Sequence, residues 1–311
     1  MADDTILLNP TGPPAEAGAG VQPRLRRVEA VVNPLSGGVG PGAAEALERL
    51  LAEHGYAVRV CEAEPRDLPV AVRTAVDQAP DLVVILAGDG TAALAARAAG
   101  PDGPLLCPLP GGTMNMLPHA LYGLVGWRAA LEAALEHGQM RWMSGGDVDG
   151  HPFYVAAILG APALWARARE AMRKGRMDLA FARARTAISR AFTGPLTYRL
   201  DDGAEGEAEA LSLLCPLVSR RLGEELVLEA AALDVRNAAQ AFRLGLNALT
   251  SDWRNDPAVK VHQTCGAEAR ARGSIPAVLD GEPRRLPSQV KVRFVPKAFR
   301  ALVPVAATLP G

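Results

Sequence analysis

Residues 83–91 read Val83-Val84-Ile85-Leu86-Ala87-Gly88-Asp89-Gly90-Thr91 and decide the fold. The apolar first half predicts a buried strand, which ends in a glycine turn that carries one carboxylate. A helix is expected from Ala92 to Ala99. The glycines permit positive φ and a close approach of a phosphate, and the helix N-terminus offers positive partial charge. Taken alone, an ordinary capped turn explains this stretch equally well.

Two other stretches repeat the pattern of a strand that opens into a glycine loop. A strand from Val28 to Val32 leads into Asn33-Pro34-Leu35-Ser36-Gly37-Gly38, and a strand from Leu105 to Pro108 leads into Pro110-Gly111-Gly112-Thr113-Met114-Asn115. We call residues 33–38, 87–91 and 110–115 the first, second and third loops. Because such loops gather at the carboxyl ends of parallel strands, the three can line one anionic cleft. Asp89 would then lie beside phosphates through a bound Mg²⁺.

The order of predicted elements indicates two domains. From Val28 to about Gly145 strands and helices alternate, which predicts a mainly parallel, Rossmann-like sheet. From Gly146 short strands with turn residues predict a second, largely antiparallel β-sandwich domain. We therefore expect a flexible leader over 1–25, an α/β nucleotide-binding domain over 26–145, and a β-rich substrate domain over 146–311 with a basic helical insertion at 161–193.

Four motifs resemble those of the diacylglycerol kinase catalytic family, which includes sphingosine kinases and bacterial lipid kinases and is distantly related to NAD kinases. The resemblance runs from about Val28 to Pro304. The first loop is similar to the family's Asn-Pro-x-Ser-Gly, and the second to its Gly-Gly-Asp-Gly-Thr with Ala87 in place of the first glycine. The third loop is similar to Gly-Thr-x-Asn, and Leu279-Asp280-Gly281-Glu282 to the C-terminal Asp-Gly-Glu.

This resemblance implies ATP-dependent transfer of the γ-phosphate to the hydroxyl of a diacylglycerol-like or sphingoid lipid alcohol, with Mg²⁺ as cofactor. Asp89 would position phosphate and metal, Asp280 is the candidate base, and Glu282 would support that base or hold Mg²⁺. An Asp-Gly pair is also a strong signal for a plain hairpin turn. The residues expected to hold the nucleotide lie on the three loops: Asn33, Ser36, Gly37, Gly38, Gly88, Asp89, Gly90, Thr91, Gly111, Gly112, Thr113 and Asn115.

Several positions depart from the family pattern. Ala93 and Leu94 stand where the family commonly carries Asn and Glu, and Met116 stands where an acidic residue is common. Asp234 lacks the Asp-Gly pair that often precedes it, so a structural metal site there is doubtful. Two alternatives therefore stay open: a kinase of a soluble metabolite, and a non-catalytic relative that binds lipid or nucleotide.

Composition excludes several other classes of protein. The 311 residues include 33 basic and 34 acidic side chains, which argues against a general nucleic-acid binder. The four cysteines show no Cys-x-x-Cys spacing, which argues against zinc and a disulfide framework. No apolar run approaches the roughly 20 residues that span a bilayer. We expect a cytoplasmic protein, with peripheral contact at the inner membrane face as an open alternative.

The basic insertion at 161–193 carries eight Arg or Lys residues and two acidic ones. Apolar residues share one helical face within it. A basic amphipathic helix can make transient contact with an anionic membrane surface. The alternative is a solvated helix that packs on the β domain. The sequence leaves open whether the protein forms a homodimer.

Overall fold

The structure is a computed structural model that describes residues 24–160, 195–218, 227–233 and 259–305. The chain divides into two compact units. Unit 1 contains Met1–Ser144 and Pro296–Gly311, and unit 2 contains Gly145–Val295. The predicted insertion at 161–193, Asp234 and nearly all of the predicted leader lie outside the described residues.

A parallel sheet forms the centre of unit 1. Its strands β1 (Arg27–Val32), β2 (Ala57–Glu62), β3 (Leu82–Ala87) and β4 (Leu105–Pro110) lie in the order β2-β1-β3-β4. Every neighbouring pair is parallel. Strands β3 and β4 are buried at each residue, as expected for central strands covered on both faces.

The helices of unit 1 alternate with these strands. They are α1 (Ala43–Glu53), α2 (Leu68–Asp77), α3 (Asp89–Ala99), α4 (Met116–Tyr122) and α5 (Trp127–His137). Helix α3 begins at Asp89 rather than at the predicted Ala92, because Gly88 is its N-cap. The short helix α4 was not predicted. Within the described ranges, no helix is both long and apolar enough to cross a membrane.

Two strands pass from one unit to the other: β5 (Gly138–Val148) and β16 (Gln289–Pro304). The sequence predicts that residues 296–311 belong to the second domain. The structure groups these residues with unit 1, because the strand continues and Ala301 pairs in parallel with Leu106 of β4. The buried Tyr122 hydroxyl also donates to the Leu302 carbonyl at 3.0 Å.

Unit 2 contains two antiparallel sheets. One has the order β16-β13-β8-β9, with β8 (Leu196–Leu200), β9 (Glu205–Ala208) and β13 (Gly266–Arg270). The other has the order β12-β11-β10-β7-β14-β15, with β7 (Ala156–Gly160), β10 (Ala210–Leu214), β11 (Leu228–Leu233), β12 (Val259–Thr264), β14 (Ile275–Leu279) and β15 (Glu282–Leu286).

Strand β6 (His151–Phe153) pairs with β5. Both sheets of unit 2 contribute to a single hydrophobic core, in which Leu159 and Leu211 of one sheet join Tyr198 and Val292 of the other. Two antiparallel sheets over a shared core form a β-sandwich. The predicted fold class, a parallel α/β domain followed by an antiparallel β-sandwich, is confirmed.

Candidate active site

The three loops meet at the carboxyl ends of β1, β3 and β4. The Gly38 N–H donates to the Gly111 carbonyl at 3.0 Å, which joins the first loop to the third. The Gly111 N–H donates to the Ala87 carbonyl at 3.2 Å, which joins the third loop to the second. The Asn33 N–H donates to the Leu86 carbonyl at 3.0 Å. Unit 1 alone therefore brings together the loops that the sequence predicts to share a site.

Close backbone contact explains the glycines of the third loop. A Cβ at Gly112 would lie 2.7 Å from the Gly88 Cα, and a Cβ at Gly111 would lie 2.8 Å from the Ala87 N.

The expectation of positive φ in the second loop is wrong: Gly88 is extended, with φ −83°, and Gly90 lies in the first turn of α3 without a positive φ. Close approach therefore requires glycine at positions 111 and 112, whereas the nearest atom to a Cβ at Gly88 would lie at an ordinary 3.8 Å.

The second loop ends at the N-terminus of α3. The N–H groups of Thr91 and Ala92 both donate to the Gly88 carbonyl, at 3.0 and 3.1 Å, which closes the first turn of the helix. The first N–H groups of a helix carry positive partial charge, so an oxyanion such as a phosphate is stabilised there. The loops therefore surround a place that suits a phosphate group.

Asp89 supplies a carboxylate at this place. Its Oδ1 accepts the N–H of Leu117 in the first turn of α4, at 3.2 Å, so the side chain is held between two helix N-termini. Among the described residues, no group of three or more His, Cys, Asp or Glu side chains could hold a metal ion. Mg²⁺ commonly binds one or two carboxylates together with substrate phosphates and water. The single carboxylate of Asp89, beside a site that suits a phosphate, therefore fits Mg²⁺.

The two asparagines that the sequence assigns to nucleotide binding form hydrogen bonds within their own loops. Oδ1 of Asn33 accepts the Leu35 N–H at 3.1 Å. The Asn115 side chain accepts the Gly112 N–H at 2.7 Å and donates to the Gly112 carbonyl at 3.1 Å. Both asparagines are buried. Asn readily forms such local turns, a signal already present in the sequence. The exposed Gly37 and Thr113 are better placed to meet a ligand.

The Asp280-Gly281 turn lies in unit 2 and joins β14 to β15. Asp280 has φ 45° and Gly281 has φ 84°, the combination of a tight hairpin turn. Asp280 is only 6% exposed, and its carboxylate accepts three backbone N–H groups. They belong to Tyr154 at 2.6 Å, Val155 at 2.8 Å and Ala156 at 2.9 Å. Asp280 and Gly281 thus form a hairpin turn, and Asp280 also contributes a buried carboxylate.

Glu282 and Cys215 complete the description of this turn. Glu282 is exposed at the start of β15. Cys215 is buried, and its N–H donates to the Val155 carbonyl at 2.9 Å. Burial and the charge of Asp280 raise the pKa of the Cys215 thiol well above its ordinary value, so this thiol is neutral. Sequence reasoning missed the surroundings of Asp280, because backbone donors leave no signal in residue type.

Most of unit 1 is similar to one known protein family. Residues 27–147 match the diacylglycerol kinase catalytic domain. This part of the chain is similar to the diacylglycerol kinase catalytic domain. The three loops and Asp89 lie inside the matched residues, whereas Asp280 and Glu282 lie beyond them. The resemblance seen in the motifs is confirmed, and a catalytic domain of this kind is that of a phosphotransferase that uses a nucleotide.

Solved structures match nearly the whole chain. A diacylglycerol kinase of Bacillus anthracis str. Sterne superposes with a TM-score of 0.65 and 17% identity, covering 92% of this chain and 99% of that one. A second protein of that strain, provisionally assigned as a diacylglycerol kinase, gives a TM-score of 0.69 and 19% identity over 92% and 98%. At these identities the similarity establishes the fold. None of the curated proteins matches the sequence.

The structure of unit 1 accommodates the departures from the family pattern. Ala87 is buried as the last residue of β3, where extended backbone suits alanine as well as glycine. Ala93 and Leu94 are half-buried on α3, and Met116 is half-buried at the start of α4. None of these residues disturbs the contacts between the three loops.

Proposed function

We propose that this protein is an ATP-dependent lipid kinase that phosphorylates the hydroxyl of a diacylglycerol-like or sphingoid lipid alcohol. One observation carries the proposal: three glycine loops meet at the N-terminus of α3, beside Asp89, within a part of the chain similar to the diacylglycerol kinase catalytic domain. The similar structure from Bacillus anthracis is described as a diacylglycerol kinase. ATP as the nucleotide and a lipid as the acceptor are the parts of this proposal that experiment must decide.

We assign nucleotide binding to the three loops. In this proposal, the phosphates lie at the N-terminus of α3 and against the exposed backbone of Gly37 and Gly90. The N–H groups of Gly38, Gly111 and Gly112 instead hold the loops together. The hydroxyls of Ser36, Thr91 and Thr113 assist. Asp89 would hold Mg²⁺, which neutralises phosphate charge when it is bound. Asn33 and Asn115 contribute by fixing the shapes of their loops.

The acceptor side requires a group that orients the lipid hydroxyl and removes its proton. Phosphoryl transfer depends mainly on positioning and charge stabilisation, so orientation contributes more than basicity. We assign this side to the turn of Asp280, Gly281 and Glu282, which combines a buried carboxylate with an exposed one. The division of labour between these two carboxylates is taken up below.

A lipid acceptor also implies contact with a membrane. We propose that residues 161–193 provide it, through their excess of positive charge over an anionic surface. The four cysteines are free thiols in the structure, which agrees with a protein that works in the reducing cytoplasm.

The proposal is tested by following labelled phosphate. The purified protein is incubated with Mg²⁺, γ-labelled ATP and vesicles made from a total bacterial lipid extract, and label is measured in the organic phase. The matched control is Asp89→Asn, which keeps an oxygen to accept the Leu117 N–H but lacks the charge.

Organic label from the wild type and none from the variant would support the proposal, and mass spectrometry would then name the lipid. Label only on an added soluble metabolite would favour the soluble-substrate alternative. Binding of ATP without transfer to any acceptor would favour the non-catalytic alternative.

A further inference from the structure

We infer that Asp280 is a positioning residue, whose carboxylate fastens the turn between β14 and β15 to the segment Tyr154–Ala156. This inference rests on the proposed function for its effect on catalysis. The three N–H donors lie at 2.6, 2.8 and 2.9 Å from the carboxylate oxygens. A carboxylate offers about four lone-pair directions, so these donors occupy most of them. A base would instead need a lone pair directed at the acceptor hydroxyl.

Burial supports the same role. The Asp280 side chain is among the few charged groups buried in the described part of the chain. A buried charge is costly unless hydrogen bonds compensate it, and bonds from N–H groups to an anion are among the stronger ones. Three consecutive N–H groups that converge on one anion form a backbone nest. The segment 154–156 provides such a nest for the Asp280 carboxylate.

The backbone of Asp280 joins the same segment. Its N–H donates to the Ala156 carbonyl at 2.9 Å, so the main chain and the side chain of Asp280 fasten the turn together. Its φ of 45° is a conformation that Asp and Asn adopt more readily than other residues with a side chain. We call these hydrogen bonds between Asp280 and residues 154–156 the anchor. The anchor fixes the position of Glu282, the exposed carboxylate two residues farther on.

An anchor and a base make different demands on residue 280. A base needs an ionisable carboxylate, so Asn would be as inactive as Ala. An anchor needs a hydrogen-bond acceptor and a tolerance of the left-handed backbone. Asn keeps one oxygen for the N–H groups of Val155 and Ala156 and accepts this backbone, whereas Ala offers neither. Rescue by Asn relative to Ala therefore identifies an anchor.

The experiment compares the wild type with Asp280→Asn and Asp280→Ala. Lipid phosphorylation is measured at saturating ATP over a range of lipid concentrations, so that kcat and KM are separated. Amide hydrogen exchange is followed at Tyr154–Ala156. Glu282→Gln serves as the exposed neighbour for the exchange measurement, where it should leave these amides unchanged.

We expect amide exchange at 154–156 to accelerate by about tenfold or more in Asp280→Ala, and by less in Asp280→Asn. Activity should fall by about 100-fold or more in Asp280→Ala, and Asp280→Asn should restore it to within about tenfold of the wild type, with the loss mainly in KM. Equal inactivity of both variants, with unchanged KM and unchanged exchange, would overturn the inference and identify Asp280 as the proton acceptor.

The two proposals fail separately. If the wild type transfers no phosphate to lipid, the proposed function falls. Exchange at 154–156 still decides the anchor, since it needs no substrate: faster exchange in Asp280→Ala supports the anchor, and unchanged exchange overturns it. If Asp280→Ala does not fold, exchange at Tyr154 in Asp280→Asn decides alone, because the side-chain NH₂ replaces the oxygen that accepts the Tyr154 N–H. Faster exchange there supports the anchor, and unchanged exchange overturns it.

Discussion

Gly112→Ala is the substitution for which the structure makes the sharpest prediction. The Cβ that it adds would lie 2.7 Å from the Gly88 Cα and 3.1 Å from Oδ1 of Asn115. The first neighbour is backbone, which cannot rotate away. The second is the oxygen that accepts the Gly112 N–H at 2.7 Å, so relief of the contact strains that hydrogen bond as well. The second and third loops would have to separate.

The size of the effect follows from these two contacts. Ordinary carbon–carbon contact lies at about 3.5–4.0 Å, so the loops would move apart by roughly 1 Å. Overpacking of this kind costs about 1–3 kcal/mol, and the weakened hydrogen bond adds about 1 kcal/mol. In a protein of this size each kcal/mol lowers Tm by about 2–4 °C. We expect Gly112→Ala to lower the free energy of unfolding by about 2–4 kcal/mol.

Gly88→Ala is the matched control, because it adds a methyl group to the other side of the same contact. There the nearest atom, the Gly112 Cα, would lie 3.8 Å away, which is ordinary contact, and the backbone of Gly88 is extended. Its free energy of unfolding should stay within about 1 kcal/mol of the wild type. Thermal and urea unfolding measure both variants. Equal stability of the two would refute the reasoning from close approach.

Three further predictions concern charge, a buried hydroxyl and a buried thiol. Asp89→Asn should lower the rate of phosphoryl transfer by about 100-fold or more and weaken its dependence on Mg²⁺. Its Tm should stay close to that of the wild type. A Mg²⁺ titration of the initial rate tests the first result, and a thermal melt tests the second. Tyr122→Phe removes the donor to the Leu302 carbonyl and should cost about 1–2 kcal/mol in urea unfolding, and an unchanged midpoint would contradict the assigned bond. Burial raises the pKa of Cys107 to about 12, so above pH of about 9 the unfolded chain loses this proton while the folded chain keeps it, and stability should fall by about 1.4 kcal/mol per pH unit. In Cys107→Ala, the free energy of unfolding should fall with pH less steeply between pH 9 and 10.5, by about 1.4 kcal/mol per pH unit. Identical slopes in the variant and the wild type would contradict the raised pKa of Cys107.

Apolar runs and loop chemistry made the first half of the chain predictable. Strands β3 and β4 are buried at every residue, so their sequences are apolar without interruption and stand out. The glycine loops that follow them are equally distinct. Where parallel strands lie side by side, their loops must come together, and the contact between Gly38 and Gly111 follows from that rule.

The remaining features depend on backbone groups and on distant contacts. The anchor of Asp280 is made by N–H groups of residues 154–156, which every residue type except proline possesses. The continuation of β16 beyond Val295 depends on its partner β4, far away in sequence. The start of α3 at Asp89 was missed because glycine suggested a turn, although it serves as the N-cap.

The last strand has a consequence for how the protein is made. Unit 1 needs residues 296–304, which pair beside β4 and supply the carbonyl that Tyr122 binds. During translation, residues 27–110 leave the ribosome well before that strand exists. One edge of β4 must therefore wait unpaired while all of unit 2 is synthesised. Such an unpaired edge can pair with other chains. Slow synthesis or truncation before residue 296 should therefore favour aggregation, whereas release of the last strand lets unit 1 close.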